Sequence, residues 1–298
     1  MEYSRKFLTA ALFAAGIALA VPAGRAHGAA DAPARVLSIT PAATEILYSL
    51  GLGDRVAAVT RYCNWPPEAK SKPVIGDMMN VNLEMLAALD PDLVLISNLN
   101  EHLSARIKAM GYKTVVVYQD NFDQICKSIL DVGEACGVSD AARAKVGELR
   151  GAVEALKGSV PSGTPPRVLI VVGRDPADDE LKRLYVAGAQ SFYDDLIRES
   201  GAVNALDSDV QYLQVSREGL LRLEPDVIID LIGEHGTADV STERIQGQWS
   251  SIPDLRAAAE KNVSIVRGDF SLRPGPRYPL LLDAFIRAIW GGEREITG

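Results

Sequence analysis

The residues best able to grip a ligand gather in three short stretches. The first is Arg61-Tyr62-Cys63-Asn64-Trp65-Pro66-Pro67; the second is Tyr212, just before Gln214-Val215-Ser216-Arg217-Glu218. The third runs from Arg267-Gly268-Asp269-Phe270 to Arg273-Pro274-Gly275-Pro276-Arg277-Tyr278. Two consecutive prolines forbid helix and hold the Tyr62–Trp65 aromatics in a fixed loop. Any one of these aromatics could simply pack its own loop. As a set they read as a ligand cleft made of Tyr62, Trp65, Tyr212, Asp269, Phe270, Arg273 and Arg277.

Bond-breaking signatures are absent. The chain has no Walker loop, no GxSxG, no HExxH and no paired CxxC. Three histidines, His27, His102 and His235, are too few for a His-rich zinc site. Gly51-Leu52-Gly53 follows a helical pattern, so it reads as a helix end and not as a dinucleotide fingerprint. The pairs Asp178-Asp179 and Asp194-Asp195 read as solvated faces or helix starts. No catalytic residue, metal site or cofactor is expected. A net charge of −8 without a basic run argues against nucleic acid or an anionic membrane surface as partner.

The elements that must position these residues show a βαβ rhythm. Strand candidates are 36–39, 56–59, 93–96, 114–118, 168–172, 227–230 and 263–266, with helical patterns between them. This predicts an α/β fold with mainly parallel sheets covered on both faces. Thr40 is a candidate N-cap, with Pro41 at the first helical position. Residues 83–95, LEMLAALDPDLVL, match 217–229, REGLLRLEPDVII, at an offset of 134 residues. Val36-Leu37 and Val168-Leu169 stand 132 apart, so the chain reads as two similar Rossmann-like lobes in tandem. Between them, Ser139 and Asp140 can cap a helix over 139–158, along which Val146, Leu149, Val153 and Leu156 share a face. A helix of that length spans about 30 Å and makes a stiff connection. The organisation expected is an N-terminal lobe over 31–138, a connecting helix over 139–160 and a second lobe over 161–298, with the cleft between lobes.

Residues 1–30 read as a leader. Arg5 and Lys6 precede an apolar run over 7–21 and a small-residue stretch, the layout of a signal peptide cleaved between 26 and 30. The expected product is exported and soluble in a periplasm. There the three cysteines could pair. Cys126 and Cys136 share one helical pattern about 15 Å long, too far apart for a disulfide. Cys63 falls in a loop, and the reading favours no structural disulfide.

The stretches RVLSITPAATEILYSLGLGDRVAAV, RYCNWPPEA, NLEMLAALDPDLVL, LQVSREGLLRLEPDVII and RGDFSLRPGPR resemble the periplasmic binding proteins of ABC importers for cobalamin, heme and ferric siderophores. The resemblance covers essentially the whole chain after the leader. It implies two α/β lobes on one long helix, a ligand between them, and a permease dimer with ATPase subunits as partners. Within that family the chain is most similar to the vitamin B12-binding branch. There Tyr62 matches a tyrosine against the corrin, Tyr212 and Phe270 stand at tryptophan positions, and Asp269 matches an acidic contact. Arg273 and Arg277 match the same motif. Glu84 and Glu218, equivalent in the internal repeat, match glutamates that meet permease arginines. The chain departs at Asp77-Met78-Met79 and at Asn98, where that branch carries tryptophans. The implied function is corrinoid capture, with heme or a ferric siderophore as the alternative ligand. A secreted α/β enzyme using the same cleft is the reading from a different class.

Overall fold

In the computed structural model, residues 32–174, 181–233 and 240–298 are described. The leader, Asp178-Asp179 and His235 lie outside the described residues. The first sheet is built from β1 (Val36–Ser38), β2 (Val56–Ala58), β3 (Leu93–Ser97) and β4 (Thr114–Val117), in the order β2-β1-β3-β4. Every pairing in it is parallel. The connecting helices are α1 (Pro41–Ser49), α2 (Leu83–Leu89) and α3 (Glu101–Ala109), followed by α4 (Phe122–Ala135). β1 and β3 are buried along their whole lengths, as parallel strands covered on both faces must be.

The second sheet is larger and mixed. β5 (Arg167–Gly173), β9 (Val227–Ile232), β10 (Val263–Arg267) and β11 (Glu295–Thr297) pair in parallel. β6 (Leu184–Ala187) runs antiparallel to β5, and β8 (Tyr212–Val215) antiparallel to β6. The short β7 (Val203–Asn204) joins β5 off the main path. The expectation of a mainly parallel sheet holds for the first lobe but misses this antiparallel ribbon. The helices of this half are α6 (Phe192–Glu199), α7 (Arg217–Leu223), α8 (Thr242–Ser250), α9 (Arg256–Ala259) and α10 (Tyr278–Trp290).

α5 (Ser139–Gly158) carries the chain from one sheet to the other in 20 residues. It buries Val146, Leu149 and Val153 of the expected stripe together with Ala142, while Leu156 is only partly buried. Its cap differs from expectation: Val138 is the N-cap, without a side-chain bond, and Ser139 already lies inside the first turn. Thr40 is the N-cap of α1 with Pro41 behind it, yet its side chain does not cap either. One hydrophobic core runs from Ile46 and Leu47 of α1, past α5, to Phe285 of α10, so the lobes share packing.

The internal repeat is visible in local geometry. Asn82 caps α2 by accepting from the Met85 N–H, and Ser216 caps α7 by accepting from the Gly219 N–H. Each helix ends in a non-glycine residue in the left-handed region, Asp90 and Glu224, both at φ 43°. Asp92 then takes the N–H groups of Ala34 and Arg35 at 3.0 and 2.9 Å, and Asp226 takes that of Arg167 at 2.7 Å. In both lobes the aspartate of the repeat clasps the start of the lobe's first strand.

All three cysteines are buried and free. Burial raises each thiol above its ordinary value, away from reactive thiolate.

Candidate functional site

Parallel strands present their carboxyl ends to ligands, and the cleft lies there. It has two adjoining compartments, of about 280 Å³ and 400 Å³, that share Pro41, Met78, Leu272 and Arg273. The first is walled by Gln119 and Asp120 from one lobe and by Phe192 and Tyr212 from the other. The second adds Thr60 and Tyr62 on one side and Gly173, Gly233 and Asp269 on the other. Gly173 ends β5 and Gly233 follows β9, so two neighbouring strand ends are bare of side chains. A larger groove of about 770 Å³ runs along α5 between α4 and α6. Its charges are paired among themselves, Arg150 with Asp123 and Lys157 with Glu154, each at 2.7 Å. The cleft, with its open aromatic surface, is the better candidate.

The structure separates the sequence-selected residues into two groups. Tyr62 and Tyr212 line the cleft, 43% and 48% exposed. Tyr212 stands on a strand, not in the polar loop expected from the sequence. Burial, with the charge of Asp120 across the cleft, raises its phenol above the ordinary value. Arg273 lines both compartments and ion-pairs with Asp269 at 3.0 Å. Phe270 departs from expectation: it is 3% exposed and belongs to the core. It follows Gly268, whose φ of +130° turns the backbone there. Its ring packs close beside Gly298, where even a Cβ would clash.

Arg277 and Trp65 also sit differently from a simple ligand contact. The Arg277 guanidinium grips Glu45 of α1 through two bonds, 2.6 and 2.9 Å, and Asp269 at 2.9 Å. It lies 5.0 Å over the Trp65 ring, a cation–π geometry. Trp65 is 44% exposed, but its ring packs under that guanidinium and not in the wall of either compartment. Arg273 extends the network to Asn64. Glu45 and Asn64 precede α5 while Asp269, Arg273 and Arg277 follow it, so the network ties one lobe to the other. Burial pushes the Glu45 carboxyl up from its ordinary value, opposed by the Arg277 bonds.

One feature of the wall, and one aromatic beside it, escaped sequence reasoning. Met78, at a position of departure from the cobalamin branch, reaches both compartments. Methionine is flexible and polarizable, so it adapts to a ligand face. The aromatic beside it is Tyr185, 49% exposed. Register pairs Ala187 with Tyr212 and Tyr185 with Gln214, and residues two apart on a strand share a face. Tyr185 therefore continues the Tyr212 side of the ribbon toward Gly173, whose added Cβ would lie 3.7 Å from the ring. The alternation in Leu184-Tyr185-Val186 was the available signal. Asn98 donates to Asp120 at 3.0 Å, which holds that carboxylate at the first compartment.

Glu84 and Glu218 are second residues of α2 and α7, both exposed. The Ser216 hydroxyl donates to Glu218 at 2.8 Å and lowers its carboxyl below the ordinary value. Asp194 and Asp195 are helix-start acids of α6 bonded to Arg198. Among the described residues no group of three His, Cys, Asp or Glu could hold a metal ion. No described helix is long and apolar enough to cross a membrane.

Comparison with known proteins agrees with this geometry. Residues 36–266 match the family described as periplasmic binding protein. A curated relative described as an uncharacterized ABC transporter substrate-binding lipoprotein of Bacillus subtilis is 32% identical, over 82% of this chain and 76% of its own. The vitamin B12-binding protein of Pectobacterium atrosepticum is 30% identical, over 85% and 86%. A solved periplasmic heme-binding protein, in complex with two hemes, superposes with a TM-score of 0.73 at 27% identity, covering 86% of this chain and 97% of its own.

Proposed function

This chain belongs to the periplasmic binding protein family, and on that premise we propose that it captures cobalamin or a related corrinoid in the periplasm and delivers it to an ABC importer. The observation that carries the reading is the cleft itself: Tyr62 and Tyr212 offer aromatic surface around the shared Met78, Leu272 and Arg273. Aromatic and apolar faces with few polar groups match the broad, largely apolar faces of a macrocycle. The relative that binds vitamin B12 supports the ligand class. Heme, which the solved neighbour holds, is the second reading, favoured by the tyrosines and by Arg273 at the mouth of both compartments. Export by the leader and docking of a permease dimer through Glu84 and Glu218 belong to the same proposal.

The test is a binding panel of cyanocobalamin, cobinamide, hemin, and ferric hydroxamate and catecholate siderophores. Cyanocobalamin or cobinamide should bind at 1:1, unchanged on release, and quench the intrinsic fluorescence. Tight hemin or siderophore binding without corrinoid binding would overturn the ligand and keep the class. Turnover of a small substrate, lost on replacing Asp269, would favour an enzyme in the same cleft.

A further inference from the structure

We propose that Glu45 is a positioning residue of the binding site: from the first lobe it fixes Arg277 of the second, and Arg277 in turn holds the Trp65 ring and, through Asp269, the Arg273 guanidinium. The inference rests on the cleft being the ligand site. It assigns a role to a residue that makes no contact with either compartment.

The geometry is a chain of alternating charges. Glu45 is 4% exposed, and both of its oxygens take Arg277 N–H groups in a fork. Bidentate pairing of this kind fixes orientation as well as distance. The third Arg277 bond goes to Asp269 Oδ1, and Asp269 Oδ2 holds Arg273 at 3.0 Å. Two carboxylates and two guanidinium groups thus balance, which buried charges require. The approach is close. A Cβ on Gly275 would stand 3.5 Å from Glu45 Oε2 and 3.9 Å from the Ala42 Cα, so the Arg273–Arg277 loop lies directly against α1.

Two consequences follow for the site. Arg277 is held by Glu45 and Asp269 over the Trp65 ring, which leaves Arg273 as the arginine of the pair that faces both compartments. Trp65 sits in a loop, so the guanidinium 5.0 Å from its ring is a principal restraint on how it stands. Loss of the Glu45 charge should release Arg277, then Trp65 and Arg273.

The experiment uses the full chain and two variants, Glu45→Gln and Arg277→Lys. The first keeps size and some hydrogen bonding without charge; the second keeps charge without the fork. The free protein is read by the indole N–H resonances of its three tryptophans, assigned with Trp65→Phe. Affinity for cyanocobalamin and for hemin is read separately. Both variants should shift or broaden the Trp65 resonance, leave Trp249 and Trp290 in place, and weaken the bound probe 5- to 30-fold, on the order of 1–2 kcal/mol at 1.4 per tenfold. An unchanged Trp65 resonance, or affinity within twofold of the parent, would overturn the proposal. Collapse of all three resonances would overturn it too, because Glu45 would then be a residue of general stability. If neither probe binds the parent chain, the functional reading fails, while the Trp65 resonance still judges the positioning role.

Discussion

The two lobes agree where they face outward and differ where they face each other. In both, a side-chain-capped helix with a glutamate in its first turn leads through a left-handed acidic residue into a buried parallel strand. In the cleft the likeness ends. The first lobe offers Tyr62 from a loop after β2, whereas the second offers Tyr212 from a paired antiparallel ribbon that the first lacks, with Tyr185 on the same side of that ribbon. On the proposed function, repetition would serve contacts with a two-fold permease, and divergence a ligand without that symmetry.

The largest expected effect tests the outward likeness. The Glu84→Ala, Glu218→Ala double variant should bind cyanocobalamin as the parent does, yet fail to stimulate a cognate transporter's ATPase or support uptake. Truncating one partner of an interfacial carboxylate–guanidinium pair costs about 2–5 kcal/mol, and a two-fold permease offers the same pocket twice. Normal uptake would reduce both residues to helix-start acids, worth about 0.3–1 kcal/mol of local stability each.

The inward difference is sharpened by Tyr212→Ala against Tyr62→Ala, measured by titration calorimetry with whichever probe binds. Each should lose about 1–3 kcal/mol, the scale of a buried aromatic contact. Tyr212 should lose more, because a strand paired to its neighbour already holds the ring before ligand arrives. Equal losses would show that loop and ribbon position an aromatic equally well.

The smallest effect concerns the lobes as bodies. The radius of gyration from small-angle scattering should be nearly the same in free and loaded protein. α5 is continuous over 20 residues, and the Glu45–Arg277–Asp269 network closes the lobes on each other at the cleft. A clear compaction on loading would mean that neither restrains the approach.

Much of this was legible in the chain, and the failures have physical causes. Seven parallel strands, the spine helix and the repeat announced themselves through β-branched runs and helical spacing, while the short β7 and β11 did not. The ribbon did not: Leu184–Ala187, buried but for Tyr185, and Tyr212–Val215, exposed but for Val215, are four residues each, too short for a decisive period. Tyr62, Tyr212 and Arg273 reached the cleft because loops and edges at strand ends have few other places to go. Phe270 went to the core, buried between Asp269 and Ser271 in one 3-10 turn, and spacing alone cannot tell inward from outward there. Glu45 was invisible because an acid inside a helical pattern reads as a solvated face, and its partner lies 232 residues away.

That separation has a consequence for how the molecule assembles. The Asp92 and Asp226 clasps close loops of 57 to 59 residues, each inside its own lobe. The Glu45–Arg277 contact closes one about four times longer, two doublings, which adds roughly 1.2 kcal/mol of chain entropy. It also needs both lobes in place before either charge finds its counterpart. Contacts within each lobe therefore cost less chain entropy to close than the network between the lobes. A chain with only one lobe folded would hold one half of this network and one wall of the cleft.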